Sequence, residues 1–275
     1  MSSILTNNGA MTALQTLRAI NRDMSEVQSQ ISTGKSVSSA SQNAAIWSIG
    51  KIMESDELAY EALQENLRIA KAANGVAKAA AEEVLSIMEK VYDKITTATT
   101  EGVDHDTIQD EVDGLMAQVE EVIESAQFNG VNLVAGTTDF VVTTSIQRNA
   151  SGAVTTSELT IDAANLDGAL SLTAGTVDVT SATNARTALV NFEAQMDDAR
   201  EAAAAFGVAE QRLTSQGSFL SNQIDSLASG IGALIDADME EASARLQALQ
   251  VQQQLGVQSL SIANQRPQQL LQLFQ

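Results

Sequence analysis

Apolar residues along this chain recur at alternating spacings of three and four. From Ile46 the series runs Ile46, Ile49, Met53, Tyr60, Leu63, Leu67, Ala70, Ala77, Ala81, Val84, Met88, Val91 and Ile95, interrupted only by Asp56 and Asn74. A heptad seam of that length predicts one helix of ~50 residues, roughly 75 Å at 1.5 Å per residue, in a coiled-coil bundle. Asn74 inside the seam either fixes register at a cost in stability or stands partly exposed. After Gly102-Val103-Asp104 the pattern resumes as Ile108, Val112, Leu115, Val119, Val122 and Ala126. This second, shorter helix stops at Phe128-Asn129-Gly130, where Asn-Gly supplies the positive φ of a helix stop or tight turn. A third stripe, Ala185, Leu189, Phe192, Met196, Ala199, Ala203, Phe206, Leu213, Leu220, Ile224, Leu227, Ile231 and Leu234, predicts another long helix, with Glu210 and Gly217 as exceptions.

Between the second and third stripes the composition turns to Thr, Val, Ser, Asn and Gly. Alternating runs at Asp139–Ile146 and Ala153–Ile161 predict a β-hairpin, with looser strand or turn structure to about Thr183. Each end carries its own stripe: Ala10, Ala13, Leu17, Ile20, Met24, Val27 and Ile31, then Met239, Ala242, Leu246, Leu249, Gly256, Leu260 and Ala263. A lone helix with such a stripe and Gln, Ser and Asn elsewhere buries too little to offset its ordering entropy. The two ends therefore need partners, or each other.

Charge sharpens this picture. The 275 residues hold 15 Lys plus Arg and 35 Asp plus Glu, a net charge of −20. Residues 44–241 hold 10 of the basic and 33 of the acidic residues, or −23, so the two ends together are slightly positive. A low-charge inner layer and a solvated acidic exterior fit that division. The same charge argues against nucleic acid and against an anionic membrane surface. No apolar run reaches the roughly 18 residues that span a bilayer, and Met1–Asn8 lacks the features of a cleavable secretory signal.

Chemistry finds little purchase. With no Cys and a single His105, thiolate zinc sites, cysteine nucleophiles and two-imidazole motifs are excluded. His105 among Asp104, Asp106 and Asp110 reads as the solvated start of a helix. Asp236 and Asp238 read as a boundary where the third stripe loses phase. Glu82-Glu83 and Glu120-Glu121 diverge by about 100° on a helix and cannot form an acid/base couple. Glycine-rich phosphate loops are absent, so no catalytic residue, metal or cofactor is expected. Trp47 at the start of the first long helix reads as an aromatic anchor.

Both terminal segments resemble bacterial flagellin. The N-terminal match is Ala10-Met-Thr-Ala-Leu-Gln-Thr-Leu, then Gln30-Ile-Ser-Thr-Gly-Lys-Ser-Val-Ser-Ser-Ala-Ser-Gln-Asn-Ala-Ala, where Gln42 and Asn43 replace the family's Asp pair. Phe128-Asn-Gly with Leu133 is similar to the family's turn. The C-terminal match comprises Asp236-Ala-Asp-Met-Glu, Gln252-Gln-Gln-Leu-Gly-Val-Gln-Ser-Leu-Ser-Ile-Ala-Asn-Gln and the Leu270-Leu-Gln-Leu-Phe ending. Arginines that the family often carries before Asp-Ala-Asp are replaced by Ile231 and Ala233. The resemblance covers about residues 1–135 and 185–275.

The resemblance implies a mainly α fold: a long antiparallel coiled-coil helical bundle formed by the N- and C-terminal halves, with a small central β-hairpin region and no large outer domain. Residues 1–43 and 235–275 would form the inner coiled coil and spoke, 44–136 and 185–234 the helical bundle, and 137–184 the hairpin and variable surface segment. Filament-core packing would fall to Ala10, Ala13, Leu17, Ile20, Met24, Val27, Ile31, Leu246, Leu249, Leu255, Leu260, Ile262, Leu270, Leu271 and Phe274. Gly34, Trp47, Phe128, Asn129 and Gly130 would shape the spoke and turn. The implied role is that of a non-enzymatic, secreted subunit of the flagellar filament, the helical propeller for swimming. Its partners would be copies of itself or sibling flagellins, a flagellar secretion chaperone, and hook-associated junction and cap proteins. A hook–filament junction protein, or another secreted coiled-coil protein of a type III export system, is the alternative. Receptor-sensed flagellins resemble Leu-Gln-Arg-Val-Arg-Glu-Leu where this chain has Leu85-Ser-Ile-Met-Glu-Lys-Val, which implies that Ile87 and Glu89 replace two receptor-contacting arginines.

Overall fold

A computed structural model describes residues 7–149, 152–170 and 177–273, with side chains described as far as residue 265. In chain order the elements are α1 (Asn8–Thr33), α2 (Ala44–Ala98), α3 (His105–Ser125), β1 (Gln127–Phe128), β2 (Val131–Asn132), β3 (Phe140–Arg148), β4 (Val154–Ile161), α4 (Leu166–Leu170), α5 (Ala182–Ile235) and α6 (Met239–Leu273). The fold is mainly α, with two small antiparallel hairpins, β1–β2 and β3–β4.

Short polar residues start the helices by accepting otherwise orphaned backbone N–H groups. Asn7 Oδ1 accepts from Ala10 N at 3.1 Å, Asn43 Oδ1 from Ile46 N at 3.2 Å, and Ser181 Oγ from Asn184 N at 3.2 Å. Asp104 caps α3 by accepting from Thr107 N and from the Thr107 hydroxyl, and these bonds hold its carboxyl below the usual range. At the other end of α1, Gly34 takes φ 70° and donates its N–H to Gln30 O at 2.8 Å. Only glycine adopts that left-handed conformation without a steric cost.

The chain divides into two compact units, Met1–Glu57 with Ser226–Gln275, and Leu58–Asp225. In the second unit the core is continuous through Val84, Met88, Val91 and Ile95 of α2, Val112, Val119 and Ile123 of α3, and Phe192, Met196, Phe206, Leu213 and Leu220 of α5. Leu159 and Ile161 of the long hairpin and Leu166 and Leu170 of α4 close it. Asn74 reaches Phe206 while Thr99 meets Arg186, so α2 and α5 run antiparallel in this unit. In the first unit α1 pairs with α6. There the first turns of α2 approach the last turns of α5 closely: a Cβ on Gly50 would collide with Ile235, and one on Gly230 would come within 2.9 Å of Met53 Cε.

Several sequence expectations are corrected. Leu234 is 40% exposed, and Ile235 takes the buried place at the end of α5. Ile49, at the start of the first stripe, is also exposed. Asn74 is fully buried, which removes the partly exposed alternative. The segment expected to be loose up to Thr183 contains the short helix α4, whose two leucines are pulled into the core. Ile87 is fully buried, so it presents nothing to a receptor, whereas Glu89 is exposed. Ala73 and Ile87 lie off the seam, so α2 is covered over a wider face than one stripe.

The Phe128-Asn-Gly turn is a two-residue hairpin loop: Phe128 pairs with Val131, and Asn129 and Gly130 take φ 49° and 82°. Positive φ at both central residues defines a type I′ turn, in which glycine is the permissive second residue. Gly130→Ala should destabilise the chain by about 1 kcal/mol, seen as a lower urea midpoint with unchanged slope; an unchanged midpoint would show that the turn carries no strain.

Candidate functional site

The terminal helix pair is tied at its open end by Asn7, whose Nδ2 donates to Ala263 O at 2.8 Å, and midway by Gln253 Nε2 donating to Asn21 Oδ1 at 2.8 Å. Its core is small: Ile20, Val27, Ala242 and Leu249 are buried, with Met24, Ile31 and Leu246 packed around them. Ala10, Ala13, Leu17 and Leu260 are half-buried on the same side. Gly256 lets the helices close, since a Cβ there would stand 3.2 Å from Leu17 Cδ1.

A second apolar face lies on the opposite side of α6. Val251, Leu255 and Ile262 are 56%, 55% and 62% exposed. At 100° per residue they cluster within about 40° of each other and lie about 150° from the buried Ala242 and Leu249. Two opposed apolar stripes on one helix are the pattern of a strand in a multi-helix layer, not of a surface helix with one partner. Leu255 and Ile262, assigned from sequence to core packing, are therefore open in the single chain. Leu270 and Leu271 lie on α6 beyond the described side chains, and Phe274 lies outside the described residues.

At the other end of the pair, residues 34–36 cross residues 235–237. Ser36 N and Oγ both donate to Ile235 O, at 2.6 and 2.9 Å, and Ala237 N donates to Gly34 O at 2.9 Å, so the main chains of Lys35 and Asp236 pair antiparallel. Lys35 Nζ reaches Glu54 Oε1 at 3.0 Å, and Lys51 pairs with the other oxygen. Gln42 Oε1 accepts from Ser38 N at 2.7 Å and from Ser39 N at 3.3 Å. Gln42 and Asn43 thus supply neutral acceptors to the turn and to the α2 start. Asp238 caps α6 through Glu240 N and Glu241 N, at 2.9 and 3.1 Å. Trp47 is half-buried on the first turn of α2.

In the second unit Phe128 is half-buried while Asn129 and Gly130 are exposed. Asn132, which sequence reasoning passed over, holds that turn: its Nδ2 donates to Ile123 O at 2.7 Å and its Oδ1 accepts from Val134 N and Ala135 N at 2.9 Å. Its only sequence signal was an Asn two residues after the Asn-Gly pair. His105 Nδ1 lies 3.1 Å from Val179 O. Among the described residues no three His, Cys, Asp or Glu side chains converge on a metal site, and no helix is long and apolar enough to cross a membrane.

Comparison with known proteins follows the same two ends. The bacterial flagellin N-terminal helical region matches residues 4–139, and the bacterial flagellin C-terminal helical region matches residues 189–274. A flagellin of Brucella melitensis is 39% identical over 284 residues, covering 100% of this chain and 99% of the relative. Flagellin C of Rhizobium meliloti is 37% identical over 322 residues, with both chains fully covered. Flagellin A of the same species aligns over 393 positions with both chains fully covered, so 393 minus 275, or 118, of its residues have no counterpart here. A flagellar hook-associated protein of Vibrio parahaemolyticus shares the fold, at a TM-score of 0.52 and 14% identity, over 71% of this chain and 100% of its own.

Glu54 lends the crossing a pH dependence. Its hydrogen bonds to Lys51 and then Lys35 hold its carboxyl below the usual range. A lowered folded value contributes stability above the unfolded pKa and loses it as pH falls through the folded value. Acidification through the carboxylate range should therefore loosen the 34–36 crossing, which neutral pH leaves intact, and Glu54→Gln should flatten that acid-side change in amide exchange at Ser36 and Ala237. An identical acid profile in the variant would remove Glu54 from the account.

Proposed function

Because this chain belongs to the bacterial flagellin family, we propose that its terminal helix pair is the element through which copies pack into a filament. The chain is a structural subunit of the flagellar filament, an extracellular assembly, and its family is one of structural proteins. End-to-end alignment with flagellins favours this reading over a hook–filament junction protein. Heterologous contacts that do not close into a ring propagate a helix of subunits.

The observation that carries the finer reading is the pair of opposed apolar stripes on α6. One stripe is covered by α1, and the other would be covered by the terminal helices of neighbouring copies. Residues 1–43 and 235–275 would then serve as inner layer and spoke, 44–136 and 185–234 as the bundle, and 137–184 as the variable surface. Charge supports the division: residues 44–234 hold 10 basic and 29 acidic residues, or −19, and residues 1–43 with 235–275 hold 5 and 6, or −1. A layer near neutrality packs against copies of itself with little self-repulsion, while the acidic part stays solvated.

Before assembly the Val251–Leu255–Ile262 stripe is an exposed patch of the kind that invites non-specific association. A secretion chaperone covering α6 during type III export, and junction and cap proteins meeting the same helices at the filament ends, are the partners this surface fits.

Leu255→Asp with Ile262→Asp tests the reading. Two carboxylates forced into an apolar contact cost several kcal/mol unless paired. The double variant should leave no filaments in negative stain and no pelletable polymer after seeding, with the helical circular dichroism of the monomer retained. Filaments of ordinary length would contradict it.

A further inference from the structure

The seams of α2 and α5 share a weakness that their heptad regularity creates. On α2, positions 63, 67, 70, 74, 77, 81, 84, 88, 91, 95 and 98 alternate in steps of four and three, and all are buried. Through the middle Ala70, Ala77 and Ala81 on α2 present only methyl groups, facing Ala199, the half-buried Ala203 and the single large side chain Phe206 on α5. A regular repeat slipped by one heptad, about 10 Å, again sets apolar against apolar. Small alanines offer shallow ridges with little shape to resist that slip.

The polar interruptions of the two seams fall at one level. Asn74 is the one polar residue in the α2 seam of this unit, and Glu210 is the charged residue in that of α5. Asn74 Nδ2 donates to Phe206 O at 3.0 Å, Lys78 Nζ pairs with Glu210 at 2.9 Å, and Lys71 Nζ donates to Thr214 Oγ1 at 3.1 Å. The Lys78–Glu210 contact holds the Glu210 carboxyl low and the Lys78 ammonium high. Asn74 Oδ1 is buried without a partner, so the residue costs stability that alanine would not. A seam residue that lowers stability is accounted for if it selects one alignment over others.

We propose that Asn74, with the Lys78–Glu210 and Lys71–Thr214 ties beside it, is a register lock that holds α2 and α5 in a single axial alignment. A heptad slip either way puts Ala81 or Leu67 where Asn74 stands and breaks up the set of three ties. The lock is a property of the chain itself and does not rest on the filament reading.

The chain has no cysteine, so spin labels can be placed at Glu65→Cys and Glu201→Cys, both exposed and offset along the bundle axis. Pulsed dipolar spectroscopy of the full chain should give one narrow distance. Adding Asn74→Ala and Lys78→Ala should add a second population displaced by about 10 Å, one heptad, with a melting temperature at or above that of Lys78→Ala alone. The swap Lys78→Glu with Glu210→Lys, which keeps Asn74 and the pair, should keep the single distance. One unchanged distance in the alanine variant would overturn the lock, because the seam would then hold register unaided. Loss of folding in that variant would overturn it equally, because Asn74 would be needed for stability and not for alignment.

Discussion

Everything distinctive about this chain follows from how little α1 and α6 bury against each other. Among the described side chains, helices of 26 and 35 residues meet through four buried ones, Ile20, Val27, Ala242 and Leu249, with Met24, Ile31 and Leu246 half-buried around them. Ordering that many residues costs more conformational entropy than so small a core returns. The deficit is matched by surplus surface, since α6 carries a second apolar stripe that α1 leaves exposed. A pair that is both under-packed and over-exposed is half of an interface. Flagellins are subunits of a filament, and we propose that identical chains supply the missing half.

The remaining features keep that half-interface usable. The crossing of residues 34–36 with 235–237 ties the chain's two ends together through main-chain bonds and the Ser36 hydroxyl, while Lys35 reaches Glu54 on α2. Charge is distributed so that the terminal unit stays near neutral while Leu58–Asp225 carries the acid. The long hairpin and α4, in the stretch that neither flagellin region matches, are packed onto the bundle by Leu159, Ile161, Leu166 and Leu170. That is why a chain without the extra residues of flagellin A still closes its core.

Most of this was legible in the sequence because alternating steps of three and four leave few alternatives to long helices. The terminal motifs identified the family, since their order and placement carry more information than any one of them. What the pattern missed has physical reasons. Leu234 fits the period, but periodicity cannot show that the Ile235 side chain packs against Gly50 on α2 and takes the buried place. Ile87 lies off the single stripe that the spacing marks and is buried all the same, because α2 is covered over more than one stripe. A five-residue helix such as α4 is too short to show a period. Asn132 spoke only through its neighbours' amides. Leu255 and Ile262 show the reverse case: the sequence marks them as packing residues, and a single chain leaves them open.

Hydrogen exchange on the terminal helices, compared between monomer and filament, tests the central claim most directly. The under-packed pair should open readily in the monomer and close only when neighbours cover α6. The account predicts that amides in residues 8–33 and 242–273 exchange rapidly in the monomer and become strongly protected in the filament, while the core of Leu58–Asp225 changes little. Equal protection of the terminal helices in both states would contradict it.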